Sequence, residues 1–161
     1  MEVLHHDLET EGRGEHEAFT IRTVNWASVS AITEDGRFVL VRQHRYGVNA
    51  VTIEVAGGII DPGEAPEHAA ARELREETGY EGAAIEALGV VHPNPAMQDN
   101  ECHLFLVRGA REIGAQDCDP YESVEPLLME REDVQRALMD GRITHALSVL
   151  GLTRALARTS P

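Results

Sequence analysis

The sequence predicts a mixed α/β domain, and three observations carry this prediction. Short apolar or alternating segments, which are typical of strands, dominate the first two thirds of the chain. One segment with helical periodicity lies between them, and two more helical segments close the chain. A length of 161 residues suits one domain with a single sizeable core.

The N-terminal end is expected to differ from the rest of the chain. The first 15 residues are polar and rich in histidine, and Gly12 and Gly14 interrupt them. Alternation begins at residues 19–24, which we interpret as a strand. We therefore expect residues 1–24 to form an N-terminal strand region and residues 25–161 to form the main domain.

The next segments predict a hairpin and a further strand. Residues 27–33 and 38–41 are typical of strands, and the turn signal of residues 34–37 joins them. Residues 51–56 are predicted to form a strand that ends at residues 57–58, a pair of glycines.

A helix is predicted from Pro66 to Thr78. Proline is favourable in the first turn, because its missing N–H donor costs nothing there. Gly79 supplies the expected left-handed cap at the other end. The remaining predictions are strands at 84–91, 103–107 and 124–129, and helices at 131–140 and 144–157.

The excess of acidic residues excludes polyanionic partners. The chain has 14 Lys plus Arg against 28 Asp plus Glu, which gives a formal net charge of −14. Such a surface repels nucleic-acid polymers and anionic membranes, so we expect neither as a partner. A small phosphate substrate is compatible with this charge, because bound divalent cations invert the local potential.

The sequence predicts a cytoplasmic protein. No stretch approaches the roughly 18 consecutive apolar residues that a membrane helix needs. The N-terminus lacks the basic start and apolar run of a signal peptide. Cys102 and Cys118 are expected to be reduced thiols without a functional role.

The predicted helix carries a cluster of carboxylates. Glu73, Glu76 and Glu77 fall on one face, where they repel one another. A multivalent cation removes that penalty, and hard cations such as Mg²⁺ prefer carboxylate oxygens. Arg72 is placed to pair with Glu76 at i+4. The residues expected to pack against the sheet point elsewhere, namely Ala70, Ala71 and Leu74.

A glutamate-rich helix face is commonly just solvated surface. The preceding loop favours a metal site instead. Gly57 and Gly58 let the backbone approach a ligand closely, and a carbonyl oxygen there is a suitable metal ligand. Glu64 is placed to reach back toward the helix.

From Gly58 to Tyr80 the chain resembles the Nudix box. The matching pattern is Gly, five residues, Glu, seven residues, Arg-Glu, an apolar residue, any residue, Glu-Glu, any residue, Gly and an apolar residue. Tyr80 is a tolerated variant at the last position. A motif with so many specified positions is highly specific. The resemblance implies a mixed sheet flanked by helices, an α/β/α sandwich.

The resemblance also implies a role for each residue of the box. The residues expected to hold the metal ions, Mg²⁺ or Mn²⁺, are Glu73, Glu76, Glu77 and the carbonyl of Gly57. Among the residues expected to act in catalysis are Glu76, Glu77 and Arg72, of which Arg72 braces the carboxylates. Glu64 is expected to orient its neighbours.

This chemistry requires no covalent intermediate. Metal ions screen the charge of a diphosphate and lower the pKa of bound water, and a carboxylate removes the remaining proton. We expect water to attack one phosphorus of a nucleoside diphosphate derivative, which releases a nucleoside monophosphate and a phosphorylated partner.

Residues outside the box resemble one branch, the pyrophosphatases of ADP-ribose and nucleoside diphosphate sugars. The segments that carry this resemblance are residues 41–46 and residues 54–58, together with Pro95 beyond the box. The substrate-binding residues that it implies are Arg42, Arg45 and Glu54. We expect the two arginines to reach the same site. A role as surface partners for the many acidic residues is the alternative.

In that branch the general base comes from a late acidic loop, which residues 117–125 resemble. Glu122 is the preferred base and Glu125 the second choice; an acidic turn without chemistry is the alternative. The branch also implies a homodimer in which N-terminal strands pack on the partner.

Two other functions stay open. One is a Nudix hydrolase of oxidised nucleoside triphosphates or dinucleoside polyphosphates. The other is a sensor that binds ADP-ribose without turnover, although the chain leaves no room for the DNA-binding domain that such regulators usually carry. The complete set of carboxylates also favours turnover.

Overall fold

Ten strands and three helices make up the part of the chain that this computed structural model describes, residues 1–118 and 123–159. The elements are β1 (Glu2–Thr10), β2 (Gly14–Arg22), β3 (Trp26–Thr33), β4 (Phe38–Arg45), β5 (Ala50–Glu54), β6 (Ala56–Ile59), α1 (Pro66–Thr78), β7 (Tyr80–Glu81), β8 (Ile85–Val91), β9 (Cys102–Glu112), β10 (Val124–Met129), α2 (Arg131–Met139) and α3 (Ala146–Arg158).

Eight of these strands form one mixed sheet. Its main order is β10-β4-β3-β9-β7, while β5 pairs with β4, β6 with β3 and β8 with β9. The central pair, β3 and β9, is parallel, and the other pairs are antiparallel. The predicted mixed α/β fold is therefore confirmed.

The two faces of the sheet pack on different helices. Along β9, Leu104 and Leu106 belong to the core cluster that includes Leu152 of α3, together with residues of α2. The alternate residues Phe105 and Val107 belong to the cluster that includes residues of α1. Because successive side chains of a strand point to opposite faces, α1 lies on one side of the sheet and α2 and α3 on the other. This is the expected sandwich.

Helix α1 begins and ends at the predicted residues. Pro66 occupies the first turn, and Gly79 caps the helix with a left-handed φ of 74° and an N–H that donates to the Arg75 carbonyl at 2.8 Å. One detail of the predicted packing is wrong: Ala71 is exposed, whereas Ala69 is fully buried. Ala70 and Leu74 are buried as predicted, so the buried side of the helix includes Ala69 in place of Ala71.

The predicted strand at 51–56 is two strands. β5 pairs with β4, and after Val55 the chain changes partner, so that β6 pairs with β3. The backbone N–H of Val55 donates to Ser148 Oγ of α3 at 3.0 Å, which satisfies it outside the sheet. As a result, Gly57 and Gly58 lie inside a strand and not beyond its end.

The N-terminal region is a separate two-stranded sheet. β1 pairs with β2 along its whole length, and the turn between them uses Gly12 and Gly14 at φ of 76° and 73°. A bridge from Ile21 to Gln98 links this hairpin to the rest of the chain. The sequence predicted only a strand at 19–24. Both faces of the hairpin are largely exposed, so no apolar alternation marked β1.

Two predicted strands are longer than expected. The strands predicted at 38–41 and 103–107 stop too early, because β4 extends to Arg45 and β9 to Glu112.

Within residues 1–118 and 123–159, no helix is long and apolar enough to cross a membrane. Cys102 and Cys118 are not joined by a disulfide, and burial raises the pKa of the Cys102 thiol to about 11.

Candidate active site

A cleft of about 430 Å³ opens where β6, α1 and the start of α3 meet. Its volume lies in the range that small-molecule sites occupy. Five of the residues predicted for the site line it, namely Arg45, Glu54, Gly57, Glu73 and Glu77. The structure therefore brings the two halves of the prediction, the box and the preceding strands, to one place.

Glu77 is the most deeply buried of the three glutamates that α1 contributes to the predicted metal site. It is only 5% exposed, and its Oε2 accepts a hydrogen bond from the Gly57 N–H at 3.0 Å. The side chain of Glu73 is 14% exposed and that of Glu76 is 36% exposed. Exposure thus rises from Glu77 to Glu73 to Glu76, and only Glu73 and Glu77 of the three line the cleft.

The two glycines of β6 are required by close contacts on both sides. A β-carbon on Gly57 would overlap the Ala27 carbonyl oxygen and the Ser28 α-carbon of β3. A β-carbon on Gly58 would overlap the carboxylate of Glu73. The absence of side chains therefore lets this backbone lie against both the central strand and the acidic helix.

Arg72 holds the outer carboxylates together. Its Nη1 donates to Glu73 Oε1 at 2.8 Å and to Glu76 Oε2 at 3.0 Å, which includes the predicted i+4 pair. Its Nε and Nη2 donate to the two oxygens of Glu64, both at 3.0 Å. The hydrogen bonds that Arg72 donates to Glu64, and those to Glu73 and Glu76, outweigh the effect of burial and raise the pKa of Arg72. In turn, Arg72 lowers the pKa of Glu64.

The donor set suits a divalent cation. Glu64, Glu73, Glu76 and Glu77 supply four carboxylates around the single guanidinium of Arg72. Carboxylate and carbonyl oxygens are the ligands that hard cations prefer. Glu73 and Glu76 converge on Arg72 Nη1, and the ligand atoms of Glu73, Glu76 and Glu77 do not all lie within 4.8 Å of one another.

A second acidic cluster lies on the N-terminal hairpin. Among the residues that the structure describes, His5, Asp7 and Glu17 are the one trio whose ligand atoms all lie within 4.8 Å of one another. All three are exposed and lie outside the cleft lining. The buried glutamates of α1 remain the better candidates for a metal that contacts a substrate.

Glu54 is a buried carboxylate with several donors. Arg45 donates to it through Nε at 2.8 Å and through Nη2 at 2.6 Å, and the Thr52 hydroxyl donates at 2.5 Å. Burial alone would raise the pKa of Glu54, which is 1% exposed, but the bonds from Arg45, His145 and Thr52 lower it well below its usual range. Glu54 therefore anchors the Arg45 side chain at the cleft.

The two predicted substrate arginines do not point to the same place. Arg42 and Arg45 are three residues apart on β4, and an odd spacing puts side chains on opposite faces of a strand. Arg42 forms an exposed ion pair at 3.8 Å with Glu125, its neighbour on β10. The expectation that both reach one site is therefore wrong, and only Arg45 lines the cleft.

The described residues include only part of the late acidic loop. Glu122, the preferred base, lies outside the described residues. Glu125 has a side chain that is 71% exposed and is not among the residues that line the cleft. The preceding segment is attached to the end of α1: the Asp117 N–H and the Cys118 thiol donate to the Glu76 carbonyl at 2.9 and 3.3 Å.

Sequence reasoning assigned no role to His145. Its Nδ1 lies 2.9 Å from Glu54 Oε2 and 2.8 Å from Ser148 Oγ. No periodicity in the sequence connects His145 to Glu54, which lies 91 positions earlier. Only the folded chain shows that α3 begins at the cleft.

The chain is similar in sequence to a known family and to curated proteins. The family model described as NUDIX domain matches residues 22–147. An ADP-ribose pyrophosphatase of Bacillus subtilis is 30% identical over 138 residues, which cover 80% of this chain and 73% of that protein. A CMP-5'-(N-acetyl-N-hydroxy-3-aminopropyl)phosphonate hydrolase of Streptomyces rubellomurinus is 29% identical over 93% of this chain and 72% of its own length.

A solved structure shows the same fold. The crystal structure described as an ADP compounds hydrolase superimposes with a TM-score of 0.85 and covers 98% of this chain and 87% of its own, at 21% identity.

Proposed function

The chain belongs to the Nudix family, and from that premise we propose that it hydrolyses the diphosphate linkage of a nucleoside diphosphate sugar such as ADP-ribose. The observation that carries this proposal is the cleft in which the Glu77 carboxylate accepts the Gly57 N–H. Glu73 lies against Gly58 in the same cleft. The relatives named as an ADP-ribose pyrophosphatase and a CMP-5'-(N-acetyl-N-hydroxy-3-aminopropyl)phosphonate hydrolase support a nucleotide derivative as substrate.

Members of the Nudix family generally use divalent metal ions, and we propose Mg²⁺ or Mn²⁺ here. The residues that would hold them are Glu73, Glu76 and Glu77, with the carbonyl of Gly57. When bound, such an ion neutralises diphosphate charge and makes water a stronger acid.

The chain's own residues divide the remaining work. Arg72 keeps Glu73 and Glu76 in place through its hydrogen bonds. Arg45, held by Glu54, offers a guanidinium to the oxygens of the substrate. We propose Glu122 as the group that removes a proton from the attacking water, with Glu125 or a glutamate of the box as alternatives. The products would be a nucleoside monophosphate and a sugar phosphate.

Arg42 keeps a weaker place in this proposal. Its exposed pairing with Glu125 brings it to the strand that follows the acidic loop. A contact with substrate there would need a rearrangement of that pair. The alternative, a surface partner for an acidic residue, matches the observed geometry.

A substrate panel tests the proposal. Purified protein is incubated with ADP-ribose, GDP-mannose, 8-oxo-dGTP and diadenosine polyphosphates, with Mg²⁺, with Mn²⁺ and with EDTA. We expect metal-dependent release of a nucleoside monophosphate from the diphosphate sugars. Preference for a triphosphate by a wide margin would favour the triphosphate hydrolase, and tight ADP-ribose binding without turnover would favour the sensor.

We also propose a homodimer formed through the region of residues 1–24. Val3 and Phe19 lie on one face of the hairpin, with side chains left 67% and 59% exposed. Burying apolar surface of this kind against a second copy would be favourable. The cytoplasmic location predicted from the sequence belongs to the same proposal.

A further inference from the structure

His145 stands at a boundary between the buried interior and the cleft. It is the residue immediately before α3, and its side chain is 33% exposed. Its Nδ1 is directed at Glu54 and Ser148, which are 1% and 0% exposed. Among the described residues, only Ser30 Oγ and Asn100 Oδ1 are fully buried side-chain polar atoms without a hydrogen-bond partner, so Nε2, which forms no hydrogen bond there, is accessible.

The partners of Nδ1 determine which nitrogen carries the proton. The Glu54 carboxylate is ionised, because Arg45 donates to both of its oxygens, and an ionised carboxylate only accepts hydrogen bonds. An Nδ1 without a proton would place two lone pairs 2.9 Å apart. Nδ1 therefore carries the proton, and in the neutral ring Nε2 is an acceptor.

This acceptor lies in a cleft whose other polar groups have different chemistry. Arg45 and Gln43 line the same cleft and offer N–H donors, which suit phosphate oxygens. Glu73 and Glu77 are carboxylates that suit cations. A neutral imidazole nitrogen without a proton cannot donate to a phosphate oxygen, and it lacks the negative charge with which a carboxylate attracts a cation. It is a good acceptor for a hydroxyl donor.

We propose that His145 is a substrate-binding residue whose Nε2 accepts a hydrogen bond from a sugar hydroxyl of the nucleoside diphosphate substrate. Glu54 holds the ring so that this nitrogen faces the cleft. Glu54 thus orients two groups at once, Arg45 for the phosphates and His145 for a hydroxyl. The inference rests on the proposed function and deepens it, because it gives the cleft a determinant for the sugar.

Two substitutions separate contact with substrate from structural support. Asparagine places an amide N–H near the position of Nδ1 and nothing near Nε2, whereas glutamine places a polar atom near Nε2 and leaves Glu54 unpartnered on that side. For His145→Asn we expect a KM for ADP-ribose raised about three- to tenfold, the effect of one lost hydrogen bond, with kcat and the melting temperature little changed. For His145→Gln we expect a lower melting temperature but a KM closer to that of the wild type.

A purely structural role for His145 gives the opposite order. His145→Asn would then match the wild type in KM, and His145→Gln would be the impaired variant. That order overturns the inference. The matched control is His44→Asn, which changes an exposed histidine beside Arg45 that lies outside the cleft lining. We expect its kinetics to equal those of the wild type.

The wild-type protein, measured beside the variants, separates this inference from the proposed function. If it hydrolyses ADP-ribose and the His145→Asn variant has an unchanged KM, only the inference fails. If it hydrolyses no diphosphate substrate and binds no ADP-ribose by calorimetry, the proposed function and the inference fail together.

Discussion

At the scale of single residues, Glu77 is a glutamate that the fold nearly buries inside the candidate site. It is 5% exposed and lies one helical turn from Glu73 on an already acidic helix. Burial of a negative charge is costly unless it is compensated. The Gly57 N–H is one group that stabilises this carboxylate, and a divalent cation would stabilise it further.

Replacement of Glu77 by glutamine tests this role. The amide keeps the size of the side chain but removes the negative charge, so we expect turnover of ADP-ribose to fall by several orders of magnitude, about 10²-fold at the least. The melting temperature should stay within a few degrees, because one costly buried charge is removed. Steady-state kinetics and calorimetry measure both effects.

The matched control for that variant is Glu67→Gln. Glu67 is an exposed glutamate in the first turn of the same helix. We expect wild-type turnover from it. Near-normal turnover in Glu77→Gln would remove Glu77 from the site.

Glu54 predicts a pH dependence of stability. Its pKa in the folded protein lies below the ordinary value of 4.5, so the unfolded chain takes up a proton first as the pH falls. The carboxylate therefore contributes stability above about pH 4.5, and this contribution is lost on further acidification toward the folded pKa. At pH 7 we expect Glu54→Gln to be about 2 kcal/mol less stable, which allows for the 44% exposure of the Arg45 side chain.

Denaturant unfolding of both proteins from pH 7 to pH 4 measures this difference. The gap in unfolding free energy between the wild type and Glu54→Gln should shrink below about pH 4.5. A gap that widens on acidification would show that the folded pKa of Glu54 is raised.

At the scale of elements, α1 was predictable because its signals are local. Pro66 and Gly79 mark its ends by backbone chemistry that acts within one turn. The glutamates at 73, 76 and 77 share a region of the surface because of helical geometry alone. The exposure of Ala71 was missed, because the sequence does not show how far the helix is rotated against the sheet.

The cap of α1 yields a matched pair of glycine substitutions. Gly79 and Gly141 have nearly the same φ, 74° and 77°, so alanine pays the left-handed backbone cost of about 1 kcal/mol at both. A β-carbon at Gly79 would also overlap the Gly114 carbonyl, whereas nothing lies within 4 Å at Gly141. We expect Gly79→Ala to lower the unfolding free energy by at least about 1 kcal/mol more than Gly141→Ala.

Denaturant titration of the two variants measures that difference. Equal losses would mean that the backbone around Gly114 moves aside at no cost. The prediction matters for the site, because Gly79 lies two residues after Glu77 and fixes the end of the helix that carries it.

Two elements escaped prediction for different reasons. β1 has no apolar face to reveal it, since both faces of the hairpin are largely exposed. The break at Val55 has a different cause: only Val55 separates β5 from β6, and no turn residue marks the break in the sequence. The change of partner depends on Ser148, which is far away in the chain.

At the scale of the whole molecule, the box was readable and the rest of the site was not. The spacing from Gly58 to Gly79 specifies residues that a single loop and helix bring together. Arg45 and His145 both contact Glu54. These contacts join β4, its partner β5 and the start of α3. Strand alternation placed Arg42 away from Arg45, a consequence of a β4 longer than the sequence indicated.

The proposed dimer is a whole-molecule prediction. We expect sedimentation equilibrium to give about twice the chain mass of 17.7 kDa. Each copy carries a formal charge of −14, so association should strengthen as salt screens the repulsion. Phe19→Glu should shift the protein toward the monomer, whereas Leu8→Glu, on the other face of the hairpin, should not. A wild-type monomer at all salt concentrations would contradict the proposal.

The most direct test of the central claim is Mn²⁺ binding followed by electron paramagnetic resonance in the presence of AMP. We expect the folded wild-type protein to remove Mn²⁺ from solution and Mg²⁺ to displace it. Glu67→Gln should bind as the wild type does, and Glu77→Gln should bind far more weakly. Wild-type protein that leaves Mn²⁺ free in solution, or Glu77→Gln that binds it equally well, would contradict the claim that the helix glutamates beside the double glycine hold divalent ions.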